Sequence, residues 1–248
     1  MKAYAMTDRG RKRQMNQDAV YYSIYPVGNI PNLFLVADGM GGHQAGDFAS
    51  RYTIDNLVRL VEEAEGNNPI TILNEGIRQV NGLLLQKASE KTGLAGMGTT
   101  LVAACAMGRV LCVANVGDSR LYVIGKEDIR QITRDHSLVE ELIQRGEMER
   151  GSEAYHEHKN IITRAIGARK DVFADFFEVS LEKGDTVLMC SDGLSNMVSD
   201  ETIWKLAAGR QDLKEVCADL IEEANKNGGR DNIAVVLFQL ADDEVREW

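Results

Sequence analysis

Cysteine, proline and positive charge are all in short supply in this chain, and each shortage removes a class of protein. The four cysteines, Cys105, Cys112, Cys190 and Cys217, form no Cys-x-x-Cys pair. Three of them lie inside apolar runs, where cysteine serves as a small buried hydrophobe, so neither a disulfide framework nor a zinc site is expected. With three prolines in 248 residues there is no Pro/Ser linker, and there is no internal repeat or low-complexity segment; a single domain over 1–248 is the simplest organisation. Lys and Arg number 28 against 38 Asp and Glu, a net charge of −10, which argues against a nucleic-acid partner. The one dense basic cluster, Arg9 to Arg13, lies just before Asp18 and reads as a phosphate-binding edge. The uncharged stretch between Asp18 and Asp38 is broken by Pro26, Gly28 and Pro31, and Met1 to Asp8 lacks the apolar core of a signal peptide. The expectation is a cytoplasmic protein without membrane insertion.

What the chain does have is a recurring aspartate at the border of an apolar strand-like run and a tight polar turn. Leu33 to Ala37 leads into Asp38-Gly39, Val113 to Val116 into Gly117-Asp118-Ser119, and Val187 to Ser191 into Asp192-Gly193. Asp231-Asn232 leads into Ile233 to Phe238, and Asp18 precedes Ala19 to Tyr22. Taken singly, each is ordinary turn chemistry. Five of one pattern point to carboxylates converging on one rim of a sheet, where they repel one another unless a cation lies among them. Oxygen ligands alone suit a hard divalent ion, Mg²⁺ or Mn²⁺.

Periodicity gives the rest of the frame. Strands are expected over Lys2 to Thr7, Ala19 to Tyr25, Leu33 to Ala37, Thr99 to Met107, Val110 to Val116, Arg120 to Ile124, Ile129 to Thr133, Asp171 to Ser180, Thr186 to Ser191 and Ile233 to Leu240. Helices are expected over about Gly46 to Ala64, Pro69 to Lys91, Ser137 to Arg145, Asp200 to Ala208 and Asp212 to Lys226. Ser137 with Glu140 has capping-box spacing. The connections between strands 99 and 133 are too short for parallel crossovers, so the pairing there is antiparallel. Gly146 to Lys159, acidic and without apolar periodicity, reads as an exposed flap; His156 and His158 within it have a metal-like spacing but read as solvated. Strands and helices in blocks suit an α+β fold of antiparallel sheets with helices outside.

Carboxylates with two divalent ions support phosphoryl transfer, in which a water between the metals loses its proton near neutral pH. Arg13, five residues before Asp18, has the forked guanidinium that grips two phosphate oxygens.

The segments Arg13 to Asp18, Val36 to Gly42, Gly98 to Thr100, Val116 to Arg120, Asp135 to Ser137, Cys190 to Leu194 and Gly229 to Asn232 together resemble the metal-dependent protein phosphatases of the PPM, or type 2C, family. The resemblance runs in order from about Lys2 to Leu240. It implies a four-layer α-β-β-α sandwich, two antiparallel β-sheets flanked by helix pairs, with the metals at one end. It also implies roles. Asp38 would bridge two tightly bound Mn²⁺ or Mg²⁺ ions; Asp18 and the Gly39 carbonyl would serve one of them, and Asp192 and Asp231 the other. Asp118 with Asp192 would hold a weaker third ion, and Arg13 would hold the phosphate. Asp38, Asp192 and Arg13 form the catalytic set. Glycine at 39, 41 and 42 leaves carbonyl and phosphate unobstructed.

By the same resemblance the enzyme is a monomeric protein serine/threonine phosphatase, and about 137–167 is its flap subregion. The implied partners are a cognate Ser/Thr kinase and its phosphorylated substrates. Two departures stand out. Where some members have a histidine two positions after the bridging aspartate, this chain has Met40, leaving His43 or a metal-bound water as general acid. The family's threonine after Asp-Asn-x is Ala234.

Other phosphate chemistries fail on residues. Six positions beyond the cysteines stand Leu111, Asp118, Asn196 and Glu223, none of them the arginine a cysteine phosphatase needs. There is no Asp-x-Asp nucleophile, no P-loop lysine and no complete dinucleotide fingerprint. A catalytically inactive family member acting as a binding or sensing module is the alternative, disfavoured by the complete carboxylate set; a nuclease is disfavoured by the acidic surface.

Overall fold

The computed structural model describes residues 1–42, 44–90 and 92–241. The chain opens with β1 (Lys2–Asp8), β2 (Asp18–Ser23) and β3 (Leu33–Met40), then α1 (Ala45–Glu62) and α2 (Pro69–Glu90). Strands β4 (Gly98–Thr99), β5 (Leu101–Met107), β6 (Val110–Val116), β7 (Arg120–Ile124) and β8 (Ile129–Gln131) follow, then the short helices α3 (Leu138–Gln144) and α4 (Glu153–His158). The last part holds β9 (Asp175–Ser180), β10 (Thr186–Cys190), α5 (Asp192–Ser195), α6 (Asp200–Ala207), α7 (Leu213–Lys226) and β11 (Ile233–Gln239).

These strands build two antiparallel sheets. One has the order β1-β11-β10-β7-β8; the other has β2-β3-β5-β6-β9, with β4 paired to β3. The central strands read as continuous apolar runs because both faces are covered. Leu33, Leu35 and Ala37 of β3 meet Leu57 of α1 and Leu73 and Ile77 of α2. The alternate residues Phe34 and Val36 meet Val236 and Phe238 of β11 between the sheets. Leu188 and Cys190 of β10 face Ile203 of α6 and Leu220 of α7 on the far side. Three apolar layers therefore separate four layers of secondary structure, the α-β-β-α sandwich expected.

Local signals set the helices. Pro69 occupies the first turn of α2, where its missing N–H is harmless. The Ser137 side chain accepts the Glu140 N–H, capping α3, and Asp212 accepts the N–H groups of Lys214 and Glu215 at α7.

The structure differs from the sequence expectation at four places. Asp38-Gly39 is not a turn: β3 continues through Met40, with Gly39 opposite Thr99 of β4. Asp171 to Ala174 is not strand, because the buried Asn81 amide donates to the carbonyls of Arg169 and Lys170 and draws that backbone aside. The segment 146–159 is not all irregular, since Ser152 caps the short α4. The single helical turn α5, starting at Asp192, had no periodic signal to announce it.

The rings of Phe34 and Phe238 stack at 3.9 Å between the two sheets. Phe238→Ala opens a cavity there and should destabilise the protein by about 3–5 kcal/mol in denaturant titration. A loss below about 1 kcal/mol would mean that the central layer is loosely packed.

Candidate active site

Antiparallel register brings the aspartates together. Asp18, first in β2, is the direct cross-strand partner of Asp38 in β3. In the other sheet, Cys190 pairs with both Val235 and Arg120, so Asp192, Asp231 and Asp118 all stand just off the same end. That rim surrounds a cavity of about 230 Å³ lined by Arg13, Gln17, Asp38, Gly39, Asp118, Asp192 and Asp231, among others. Asp18 lies buried beneath it, 3% exposed.

The carboxylates are held by groups whose supporting roles the sequence did not advertise. Ser191 Oγ donates to Asp18 Oδ2 at 2.7 Å and accepts the Ala234 N–H, joining the two sheets. The Asp38 N–H donates to Thr100 Oγ1, and the Thr99 hydroxyl donates to the Asp38 carbonyl. Asn232 accepts the Gln17 N–H and donates to the carbonyls of Arg9 and Met15. Asn196 donates to Asp192 Oδ2 and accepts from Lys159. His136 accepts the Gly117 N–H on Nδ1 and returns its own N–H to the Gly117 carbonyl. That fixes the turn before Asp118 and gives His136 a structural place. Arg120 grips Asp135 behind it.

Arg13 donates to Asp231 Oδ2 at 2.7 Å and is half exposed at the cavity mouth. One of its five donors is thus engaged, leaving others for an anion. Gly39 fits only as glycine: a Cβ there would lie 2.0 Å from the Gly46 carbonyl oxygen. A Cβ built at Gly42 would meet no heavy atom within 4 Å among the described residues. His43 lies outside the described residues, as does the side chain of His156. Asn160 and Ile162, from the 137–167 segment, complete the lining; that irregular segment gave no signal for them.

Burial and mutual repulsion raise the carboxyl pKa values. Asp18 is pushed up to about 8, by burial first and then by the charges on Asp192 and Asp231. Asp192 rises to about 6, again by burial and then Asp231. Asp38 and Asp118 rise well above the usual range for the same reason, with Asp18 next to Asp38 and Asp192 facing both. Three buried oxygens, Asp18 Oδ1, Asp118 Oδ1 and Asp192 Oδ1, have no hydrogen-bond partner among the described residues. Among those residues no three acidic, histidine or cysteine groups close on one point as a finished ligand shell. Such an open, all-oxygen set with orphaned acceptors fits a hard divalent ion, which takes one or two carboxylates and keeps several waters.

A testable consequence is a pH-dependent response to cation. The raised folded-state pKa values favour the protonated carboxyls, so their stabilising effect is full below about pH 4 and is lost as pH rises through 6 and 8. Without metal, Tm should therefore fall between pH 6 and pH 8. The increase caused by Mn²⁺ should be larger at pH 8, because binding needs the ionised groups. An equal increase at both pH values would contradict these shifts.

Comparison with known proteins agrees with this geometry. The sequence pattern of the family described as Protein phosphatase 2C matches residues 7–237. The Serine/threonine phosphatase stp of Listeria innocua serovar 6a is 39% identical over 247 residues, covering 96% of each chain. The crystal structure of Serine/threonine phosphatase Stp1 from Staphylococcus aureus superposes with a TM-score of 0.89 at 34% identity, over 97% of this chain and 95% of that one. The catalytic domain of serine threonine protein phosphatase PstP, solved with two manganese ions, gives 0.83 at 35% identity, over 95% and 96%. With the match spanning nearly the whole sandwich, the chain belongs to the protein phosphatase 2C family.

Proposed function

We propose that this protein is a metal-dependent protein serine/threonine phosphatase, hydrolysing phosphoserine and phosphothreonine in proteins. The observation that carries the reading is the cluster of buried and half-buried carboxylates with orphaned oxygens beside a half-exposed arginine. In it Asp18, Asp38, Asp192, Asp231 and the Gly39 carbonyl would hold two Mn²⁺ or Mg²⁺ ions, and Asp118 with Asp192 would hold a weaker third. When bound, such ions supply Lewis acidity and a nucleophilic oxygen at neutral pH.

The chain's own residues do the rest. Arg13 orients the phosphate with donors not spent on Asp231. Ser191, Thr100 and Asn232 hold the carboxylates and the Arg13 loop in place, so little reorganisation accompanies reaction. Lys159 and Asn160 bring the segment about 137–167 over the mouth as a flap on a single domain, where it contributes to the choice of protein substrate. The inactive alternative is not supported, because the carboxylates keep their whole supporting shell. Partners are a Ser/Thr kinase and its substrates, and the enzyme works as a cytoplasmic monomer. Among the described residues no helix is long and apolar enough to cross a membrane.

Hydrolysis of a phosphothreonine peptide with Mn²⁺, abolished by EDTA, is the direct test. Asp38→Asn should lower kcat on the order of a thousandfold while the fold is kept. Arg13→Ala should mainly raise KM for p-nitrophenyl phosphate, about tenfold, since it contacts an existing charge. Equal effects of both on kcat with KM unchanged would remove Arg13 from the phosphate site.

Asp118 is tested by metal titration. Wild-type activity should keep rising with Mn²⁺ beyond the stoichiometry of the tight sites, and Asp118→Ala should lose that weak phase and turn over slowly. A variant with the wild-type rate and the same Mn²⁺ dependence would leave Asp118 as a turn residue only.

A further inference from the structure

The basic cluster Arg9-Gly10-Arg11-Lys12-Arg13 is only partly accounted for by the phosphate-binding role of Arg13. Its backbone is clamped. Arg11 and Lys12 both direct their N–H groups at the Gly229 carbonyl, at 2.7 and 3.2 Å. Asn232 bonds the Arg9 and Met15 carbonyls at either end of the loop. Gly10, at φ +75°, packs so closely on this support that a Cβ would lie 2.1 Å from the Asp231 carbonyl oxygen. The loop is thus built on the same turn that carries Asp231, and it displays its side chains outward: Arg9, Arg11 and Lys12 are exposed and make no ion pair among the described residues. In a chain of net charge −10, three unpaired cations on one clamped turn mark a local reversal of the surface field.

Beside this loop lies a second cavity, of about 500 Å³, lined by Arg13, Gln14, Met15, Gln17, Gly41 and Gln44. Arg13, Gln17 and Gly41 line the carboxylate cavity too, so the two spaces adjoin at the arginine. The second space holds more than a phosphate group needs. The side-chain amides of Gln14 and Gln44 make no hydrogen bond among the described residues, which leaves donors and acceptors suited to an extended polypeptide backbone.

We propose that this groove seats the polypeptide flanking the phosphorylated residue, and that Arg9, Arg11 and Lys12 select substrates carrying anionic groups there, either Asp and Glu side chains or a second phosphate. The proposal rests on the phosphatase reading above and names the class of phosphosite that the enzyme favours. Arg13 spans the junction, so a phosphoryl group held at the metal end leaves the neighbouring residues along the groove, beside the basic loop, whose Arg9 guanidinium donates to the carbonyl of the groove residue Gln14 at 3.4 Å. Exposed cations contribute little one by one, and three acting together give a preference of about tenfold.

The test is a panel of phosphothreonine peptides assayed with Mn²⁺, differing only in flanking residues: neutral, acidic, basic, or with a second phosphothreonine. Wild type should show kcat/KM about tenfold higher for the acidic or doubly phosphorylated peptides than for the neutral one, and the difference should shrink as salt is raised. In a combined Arg9→Gln, Arg11→Gln, Lys12→Gln variant the ratio should fall to about one. A combined Arg11→Glu, Lys12→Glu variant should turn the preference toward basic peptides, a gain that misfolding does not produce. Preference for the second phosphate over Asp and Glu would assign the anion as phosphate; equal preference would assign charge alone. A wild-type enzyme that hydrolyses p-nitrophenyl phosphate but treats acidic, doubly phosphorylated and neutral peptides alike overturns the groove proposal and leaves the phosphatase reading standing. Failure on every phosphate ester overturns both.

Discussion

At one end of a β-sandwich the buried Asp18 and Asp118 and the half-buried Asp38 and Asp192 repel one another across a small cavity, and the architecture around them can be understood as the means of keeping them there. Left to themselves, charges in so dry a place take up protons, as the raised pKa values of Asp18 and Asp192 show. What the fold supplies is anchorage on both sides: Ser191 on Asp18, Thr100 on the backbone of Asp38, Asn196 on Asp192, and the His136–Gly117 pair behind Asp118. What it withholds, among the described residues, is hydrogen-bond partners for three of the carboxylate oxygens. A group that is clamped yet unsatisfied is arranged to receive a ligand, and a hard cation is the ligand whose chemistry answers it.

The sandwich serves that arrangement through register. Asp18 faces Asp38 because β2 and β3 pair residue for residue down to that end. Asp192 and Asp231 come close because β10 and β11 pair as far as Cys190 and Val235, just before the one and just after the other. The sheets are locked face to face by the apolar layer that includes Phe34 and Phe238. At the rim they are joined again by polar bonds, Ser191 to Asp18 and Asn232 to Gln17. Stability and site geometry are therefore set by different residues of the same strands, and a core change such as one at Phe238 acts on the first before the second.

Much of this was legible in the sequence, for physical reasons that differ by residue. Strands buried on both faces read as unbroken apolar runs, so β3, β5, β6, β10 and β11 were recognisable, and the aspartates stood out because charge at the end of such a run is unusual. The supporting residues were not legible. Ser191, Thr100, Asn196 and Asn232 are common polar types whose importance comes only from what lies opposite them in space, 173 residues away in the case of Ser191 and Asp18. At Gly39 the structure adds a reason for glycine that no local pattern announced: the backbone of Gly46 approaches it within a strand, where a turn was expected. The segment 137–167 lacked periodicity because its helices are short and it follows the surface, so nothing announced that Asn160 and Ile162 would line the cavity.

The central claim is that the strand-end carboxylates are one cation-binding centre. It is tested most directly by anomalous scattering from crystals of the protein grown with Mn²⁺. The account predicts manganese peaks inside the cavity bounded by Asp18, Asp38, Asp192 and Asp231, with a weaker peak beside Asp118. Manganese confined to surface carboxylates, with that cavity holding only water, would contradict it.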